Sequence, residues 1–212
     1  MKDMPVFDTE YGVASLVLKE VPYRQEAYIT IQSTCQPEEL LKECVFFCRM
    51  VGAEKIYAKG HEFVEQYPLH TAVTEMRCDA RVDREKLCSL FPVTEQTVQR
   101  WRMIINERMK DVDNAATLES RDEKKILESG GAYFVHSEGE LLGVGWLEGE
   151  KLLTVAAVKP GAGEKVMHSL ISLIEGATMT LEVASTNSRA IRLYEKLGFL
   201  KTREVSRWYR VF

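Results

Sequence analysis

The sequence predicts an α/β (α+β) fold, on three observations. Segments rich in β-branched residues alternate with segments whose apolar residues recur every three or four positions, which indicates strands interleaved with helices. Of the 212 residues, 45% are hydrophobic and 28% are charged, with a formal net charge of −4; this composition is typical of soluble globular proteins. A chain of this length is expected to hold one large domain or two small ones.

The first half of the chain predicts a small α/β unit. Between Gly12 and Thr34 two strand-like runs, ASLVLKEV and EAYITIQST, meet at a turn around Pro22. Pro37 then opens a helix that Gly52 ends. The remaining predicted elements are a strand at Lys55–Ala58, a helical stretch at His61–Tyr67 and a strand at Thr71–Val82.

The second half predicts two helices and an antiparallel meander, followed by alternating helices and strands. Thr94 is the expected cap of the first helix, and Ser120 with Glu123 forms the capping box of the second. The next strands read AYFVH, LLGVGWL and KLLTVAAV, and a helix, the strand MTLEVA, a helix at Ser188–Leu197 and a terminal strand follow. We therefore predict domains at residues 1–91 and 92–212.

Composition and charge also limit the classes of partner. No apolar run reaches the roughly 18 residues of a membrane span, and the first residues lack the apolar core of a signal peptide. We therefore expect a cytoplasmic protein with no membrane or nucleic-acid partner. Within residues 159–212, nine basic residues against five acidic ones could attract a compact polyanion.

The five cysteines predict thiols in a protein core. All lie before residue 90 and none forms a CxxC pair, which argues against a disulfide framework. Cys44 and Cys48 share a helix face and could bind zinc with His61 or His70. They lie on an apolar stripe, however, so we expect buried thiols and no metal.

The most informative segment is Leu181 to Phe199, which reads LEVASTNSRAIRLYEKLGF. Its strand, Asn, Ala, Tyr and Gly-Phe, in this order and spacing, resemble the late strand and helix of the GCN5-related N-acetyltransferase (GNAT) family. The resemblance spans about residues 92–212. It implies a GNAT-like mixed sheet flanked by helices, and an enzyme that transfers an acetyl group from acetyl-CoA to a primary amine.

Three residues of this segment are expected at the coenzyme. Asn187 lies where the strand meets the helix, so its amide can cap the helix and reach a ligand. Ala190 and Tyr194 are four residues apart and share one helix face. In the family, the tyrosine at the position of Tyr194 protonates the departing thiolate, a role open to a phenol that is neutral at pH 7.

A glycine loop precedes the next helix upstream. The family's loop reads (Q/R)xxGxG(A/G), and its backbone N–H groups hold the coenzyme's pyrophosphate. This chain has the GxG, but Val158 stands at the Gln/Arg position, Glu164 at the small-residue position, and the loop is shorter. The coenzyme-binding residues expected here are Val158, Gly161, Ala162, Gly163, Glu164 and Lys165.

The resemblance implies that the strand Leu152–Val158 diverges from the next strand along the chain and binds the pantetheine arm. Backbone groups of Val155, Ala156 and Ala157 would then contact the acetyl group and stabilise its oxyanion. An ordinary buried strand would have the same sequence pattern.

The acceptor amine must be neutral to attack, so a base or a water relay is expected. The candidates are Glu182, on the strand before Asn187, and Glu148, at the turn after Trp146. Transfer is expected to be direct, since no cysteine after residue 91 could carry the acyl group. The acceptor would be a small-molecule or peptide amine, and a homodimer is possible.

The first half resembles a partial GNAT unit that lacks the glycine loop. Residues 56–79 align loosely with residues 181–208 by strand, helix, tyrosine and strand, with Tyr67 opposite Tyr194. The chain would then be a tandem GNAT with a degenerate, smaller N-terminal domain. The alternative function is a noncatalytic protein of the same fold that binds or senses acyl-CoA, or acts as a scaffold.

Overall fold

The computed structural model describes residues 5–79 and 88–212. The strands are β1 (Val6–Thr9), β2 (Gly12–Val17), β3 (Glu26–Thr34), β4 (Lys55–Lys59), β5 (Leu69–Asp79), β6 (Ser89–Pro92), β7 (Ala132–Ser137), β8 (Glu140–Glu148), β9 (Lys151–Ala157), β10 (Thr178–Ala184) and β11 (Leu200–Arg210). The helices are α1 (Val21–Arg24), α2 (Pro37–Met50), α3 (Val98–Met109), α4 (Glu123–Ser129), α5 (Gly163–Ile171) and α6 (Ser188–Lys196), with short 3₁₀ turns at Glu62–Gln66 and Ser120–Asp122.

The chain forms two compact units. Unit 1 comprises Met1–Ala72 and Val205–Phe212, and unit 2 comprises Val73–Glu204. The chain therefore passes from one unit to the other within β5 and again within β11. The domains predicted above, 1–91 and 92–212, divide the chain at a different point, and their independent folding stays a prediction.

Unit 1 is a mixed sheet with the strand order β1-β2-β3-β4-β11. Its first three strands are antiparallel, and α2 then crosses over so that β4 runs parallel to β3. The last residues of β11 pair antiparallel with β4, where Tyr209 lies opposite Ala58. Apolar side chains of α2 and the sheet form one core, which includes Leu40, Ile29, Ile56 and Tyr209.

The prediction of core thiols is confirmed for four of the five cysteines and is wrong for Cys35, which is exposed. Cys78 and Cys88 lie in the core of unit 2, and the other two lie in the core of unit 1. Cys44 and Cys48 are fully buried in unit 1. Burial disfavours the charged thiolate, which raises the pKa of Cys44 to about 12 and that of Cys48 to about 11. Both side chains are therefore neutral at physiological pH and pack as small apolar groups.

Unit 2 has a mixed sheet with helices on both faces. Its strand order is β5-β10-β9-β8-β7-β6, with β9 and β10 parallel and the other neighbours antiparallel. On one face α3 and α4 pack through Trp101, Ile105 and Ile126 against residues that include Ala156. On the other face α5 and α6 pack through Met167, Leu170 and Tyr194. The predicted α/β fold with a mixed sheet is confirmed.

Local predictions are partly wrong at helix starts. Thr94 does not cap α3, because residues 94–97 close a separate turn in which the Val98 N–H donates to Thr94 O at 2.9 Å. The helix begins only at Val98, with Thr97 before it. The capping box lies one residue earlier than predicted, between Glu119 and Asp122. β1, β6 and the short α1 were not predicted, and residues 80–82 of the predicted strand Thr71–Val82 lie outside the described residues.

Candidate functional site

The strands β9 and β10 separate after two residue pairs. Lys151 pairs with Thr180 and Leu152 with Leu181, and from there the two strands are no longer paired. On its other edge β9 stays paired with β8, but the pairing register shifts by one residue. Trp146 lies opposite Thr154, whereas the next residue, Leu147, lies opposite Leu152. Leu153 is thus the extra residue of a β-bulge, a distortion that bends a strand away from its neighbour. The predicted divergence of the strand Leu152–Val158 is present.

The separation leaves backbone groups of β9 without a partner strand. The N–H of Val158 donates to Leu142 O of β8 at 2.8 Å. Because successive peptide groups of a strand face opposite edges, Ala156 also faces β8, whereas Val155 and Ala157 face the side that β10 has left. Small side chains at Ala156 and Ala157 let a ligand chain approach this open edge.

The glycine loop leads from the open edge to the start of α5. Gly161 has a φ of +79°, in the left-handed region that favours glycine, and a Cβ at this position would meet open space. Ala162 precedes the helix and provides no side-chain cap. The first N–H groups of α5 therefore keep their donor capacity, and the helix dipole favours an anion there. This is the geometry of a pyrophosphate-binding helix N-terminus.

The two charged residues at the start of α5, Glu164 and Lys165, have different surroundings. The Glu164 carboxylate forms an ion pair with Lys196 of α6 at 2.5 Å, and this hydrogen bond holds the pKa of Glu164 below its usual value. Lys165 is exposed, and its carbonyl accepts a hydrogen bond from Ser169 Oγ at 2.9 Å. The carboxylate that departs from the family pattern is thus neutralised by a neighbouring lysine.

Asn187 has the capping role predicted for it. Its Oδ1 accepts a hydrogen bond from the Ala190 N–H at 3.2 Å and so caps α6. No residue of the described ranges accepts a hydrogen bond from its Nδ2, which leaves the amide protons available to a ligand. Ala190 lies half-buried one turn further along.

Tyr194 is a buried phenol on the same helix. Its side chain packs against Phe199, with ring centroids 5.7 Å apart, and only 8% of the residue is exposed. Burial disfavours the phenolate and raises the pKa of Tyr194 to about 12. α6 also lies close to the glycine loop, because a Cβ at Gly163 would be 3.0 Å from Leu193 Cδ2.

The two candidate bases occupy different places. Glu182 follows Leu181, the last residue of β10 that pairs with β9, and forms an ion pair with Lys151 at 2.6 Å, so it lies where these two strands begin to separate. Glu148 lies opposite Lys151 at the other end of β9 from the glycine loop. At about 3.3 Å per strand residue, Glu148 is roughly 13 Å from the level of Val155. Glu182 is level with Leu153, about 7 Å along the strand from Val155, and is therefore nearer to that residue than Glu148 is.

A groove beside α3 was not predicted from the sequence. It has a volume of about 480 Å³ and is lined by Gln99, Arg100, Met103, Ile104, Glu107, Arg108 and Val158. Arg108 Nη2 donates a hydrogen bond to the Val158 carbonyl at 2.6 Å. The signal was in the sequence, since Arg100, Ile104 and Arg108 recur every four residues along one strip of α3, beside the buried strip of Trp101 and Ile105.

The comparisons with known proteins agree with this geometry. Residues 156–209, from the end of β9 to β11, match the family model of the FR47-like proteins, which are related to the GNAT family. The matched range includes the glycine loop, Asn187 and Tyr194. No curated protein matches the chain in sequence.

Solved structures resemble nearly the whole chain. A functionally unknown conserved protein from Staphylococcus epidermidis ATCC 12228 has 6% identity and a TM-score of 0.58, over 98% of this chain and 93% of that one. An acetyltransferase of the GNAT family from Colwellia psychrerythraea has 13% identity and a TM-score of 0.52, over 94% and 81%. A tandem GNAT protein from the clavulanic acid biosynthesis pathway has 13% identity and a TM-score of 0.51, over 93% and 78%.

At these identities the structural likeness shows the fold. No helix among residues 5–79 and 88–212 is long and apolar enough to cross a membrane. The family model and the fold together confirm the resemblance that the segment Leu181–Phe199 carries, and the protein has the fold of the GCN5-related N-acetyltransferases.

Proposed function

We propose that the protein is an acetyl-CoA-dependent N-acetyltransferase that moves the acetyl group directly to a primary amine. The observation that carries this proposal is the separation of β9 from β10 at the Leu153 bulge. It opens a strand edge that leads to a helix N-terminus, and the buried Tyr194 lies in the core cluster against which Val155 and Ala157 of that strand pack. An extended chain with an anionic head group and a reactive end would match these three features.

The residues present fit the coenzyme in chemical character. The N–H groups of α5 would hold the pyrophosphate, and the open edge at Val155 and Ala157 would pair with the amide groups of the pantetheine arm. The side-chain amide of Asn187 is available for a further hydrogen bond. Glu164 does not oppose an anion with a free charge, because Lys196 is bound to it.

Acetyl-CoA supplies the acetyl group as a thioester. In the proposed reaction, the neutral amine nitrogen forms a bond to the acetyl carbon, the carbon–sulfur bond breaks, and its electron pair leaves with the sulfur. The N–H groups that face the open edge of β9 would stabilise the negative charge on the acetyl oxygen. The amine loses one proton and the thiolate gains one, so the step consumes no further reactant.

Tyr194 would deliver the proton to the sulfur. With a pKa of about 12 it is protonated at physiological pH. Full transfer to a thiolate of pKa ~8.5 would be uphill by about 5 kcal/mol. The phenol is therefore better suited to a relay, in which it gives its proton as it regains one from the amine side and never becomes a free phenolate.

Glu182 is the better-placed of the two candidate bases. It lies where the strands begin to separate, on the sheet face opposite to Leu181 and Val183, whose side chains pack toward α5. Its ion pair with Lys151 holds the carboxylate in place. We propose that it accepts the amine proton, directly or through water.

The test uses the full chain, since residues 73–79 of β5 belong to unit 2 and a chain starting at residue 92 would lack them. Calorimetric titration with acetyl-CoA should give one equivalent bound per chain. A thiol assay of CoA release over a panel of amines, dipeptides, polyamines and aminoglycosides should then identify an acceptor. Absence of binding at millimolar acetyl-CoA would contradict the proposed site.

A noncatalytic acyl-CoA-binding protein is the second candidate. Two departures from the family loop favour it, namely Val158 in place of Gln or Arg and Glu164 in place of a small residue. Its signature would be acetyl-CoA binding without CoA release above background for every amine in the panel. The proposed enzyme would show both acetyl-CoA binding and CoA release.

A further inference from the structure

We propose that the groove between α3 and the end of β9 binds an acidic group of the acceptor, so that the acceptor is a primary amine carrying a carboxylate or phosphate on an apolar body. This inference rests on the proposed function and adds the chemical class of the second substrate. It depends on the position of the groove, on its charge and on its apolar lining.

The groove lies on the sheet face away from the glycine loop's helix. α3 packs on the face to which the Ala156 side chain points, whereas α5 and α6 pack on the face of Val155 and Ala157. Val158, the first residue after β9, lines the groove. The groove therefore lies at the end of β9 on the sheet face opposite to α5, and an acceptor placed there would approach the acetyl group from that face.

The charges in the groove favour an anion. Arg100 is exposed and forms no ion pair or hydrogen bond through its side chain with the residues that the structure describes. Arg108 uses Nη2 for the Val158 carbonyl, which leaves its other donors. The acidic residue of the lining, Glu107, is paired with Lys110 at 2.9 Å, which lowers its pKa. Two guanidinium groups thus line the groove against one carboxylate, which is paired with Lys110.

Apart from Gln99, the rest of the lining is apolar. Met103 is 60% exposed although it is a large hydrophobic residue, and Ile104 and Val158 lie beside it. About 480 Å³ is within the range of small-molecule sites. A ligand with an apolar body would cover Met103 while its acidic group contacts the arginines.

The two arginines have different roles. Arg108 is bonded to the backbone at the end of β9 and so positions that end of the strand. Arg100 has no such bond and is the residue whose charge is available for a ligand. Arg100→Gln is therefore the informative variant. Arg77→Gln is its matched control, because Arg77 is also exposed and lies on β5 of the same unit.

The experiment compares matched acceptors on the full chain. The pairs are glycyl-leucine with glycyl-leucinamide, and tyramine O-phosphate with tyramine. For each, the thiol assay gives kcat and KM, and titration gives Kd in the presence of CoA. The wild type should prefer the acidic member of at least one pair by about tenfold, and Arg100→Gln should remove this preference through KM or Kd with kcat nearly unchanged. Arg77→Gln should keep it.

The outcomes separate this inference from the proposed function. CoA release with no preference for an acidic member, or equal losses for both members in Arg100→Gln, would overturn the groove as an anion site. Arg100-dependent binding of an acidic amine without any CoA release would support the groove and contradict the proposed function. If Arg100→Gln weakens CoA binding tenfold but leaves dephospho-CoA binding unchanged, the groove holds a coenzyme phosphate and the inference is wrong.

Discussion

The crossovers β3–α2–β4 and β9–α5–β10 have the same topology, but their parallel strands differ in how far they stay paired. In unit 1, β3 and β4 pair in parallel over five consecutive residue pairs, from Glu26 with Lys55 to Thr30 with Lys59. In unit 2, β9 and β10 pair over two and then separate. In the first crossover every residue of β4 is paired with β3, whereas in the second only two of the seven residues of β9 are paired with β10, and the rest of that edge leads to the glycine loop.

The N-termini of α2 and α5, the helices of the two crossovers, also differ in how well they could bind an anion. α2 begins with Pro37, which has no N–H to offer, and has Glu38 and Glu39 in its first turn. α5 begins with Gly163, whose backbone is accessible, and its single first-turn acid, Glu164, is bound to Lys196. The comparison teaches that strand–helix–strand topology alone does not make an anion site. We attribute the proposed anion site of α5 to the bulge, to the glycines and to the ion pair that holds Glu164.

The largest expected effect concerns the two tyrosines that the sequence aligns. Tyr194→Phe removes only a hydroxyl, so turnover should fall roughly 10²–10⁴-fold while acetyl-CoA affinity stays within about twofold. Tyr67→Phe, the matched change in unit 1, should alter neither. Steady-state kinetics and titration of both variants check this. Full turnover in Tyr194→Phe would remove Tyr194 from the proton path and leave the acetyltransferase proposal standing.

A smaller effect is expected at the start of α5. In Gly163→Val the branched side chain would press on Leu193, since a Cβ there already lies 3.0 Å from its Cδ2. We expect acetyl-CoA affinity to fall by about tenfold or more, because the loop and α6 are pushed apart. Gly163→Ala should have a much smaller effect, since the tip of Leu193 can rotate away. Equal affinities for Gly163→Val and wild type would mean that the loop does not bind the coenzyme.

The next comparison concerns two helix caps, each of which is expected to contribute about 1 kcal/mol to the free energy of unfolding. Asn187 caps α6, and in unit 1 the His61 Nδ1 accepts a hydrogen bond from the Phe63 N–H at 3.1 Å. Asn187→Ala should cost about 1 kcal/mol of unfolding free energy and also weaken acetyl-CoA binding. His61→Ala should lower stability without changing binding. Denaturant titration and calorimetry separate the two effects; equal binding losses in both variants would indicate a general loss of folding.

The smallest expected effect concerns alkaline pH, where we expect kcat not to fall. Burial raises the pKa of Tyr194 from about 10 to about 12, so the folded protein holds this proton where an exposed tyrosine would lose it. The resulting stabilisation is fully present below pH 10 and is lost as the pH rises from 10 to 12. We expect kcat to stay flat from pH 8 to pH 10 at saturating amine. A decline with a midpoint near 9 that Tyr194→Phe abolishes would contradict this.

Periodicity and turn chemistry were enough to predict the elements that surround the site. The meander, the glycine loop before α5 and the cap at Asn187 were all predicted, because each depends on neighbours within a few residues. Leu153 could not be identified as a bulge, since a bulge is a property of two paired strands. The Arg108–Val158 contact joins residues 50 positions apart, so it could not be predicted from local sequence either. The helix starts at Thr97 and Glu119 were missed because nearby residues offer competing caps.

The exchange of strands between the two units has a consequence for synthesis of the chain. β4 takes its second neighbour from β11, and the core of unit 1 includes Tyr209, only three residues before the last one. A ribosome adds about 5–20 residues per second, so Tyr209 emerges many seconds after β4 has been made. Throughout that interval β4 has an unpaired edge, which can pair with another nascent chain. The N-terminal half of this protein therefore completes its fold last, after the segment that carries the proposed catalytic site.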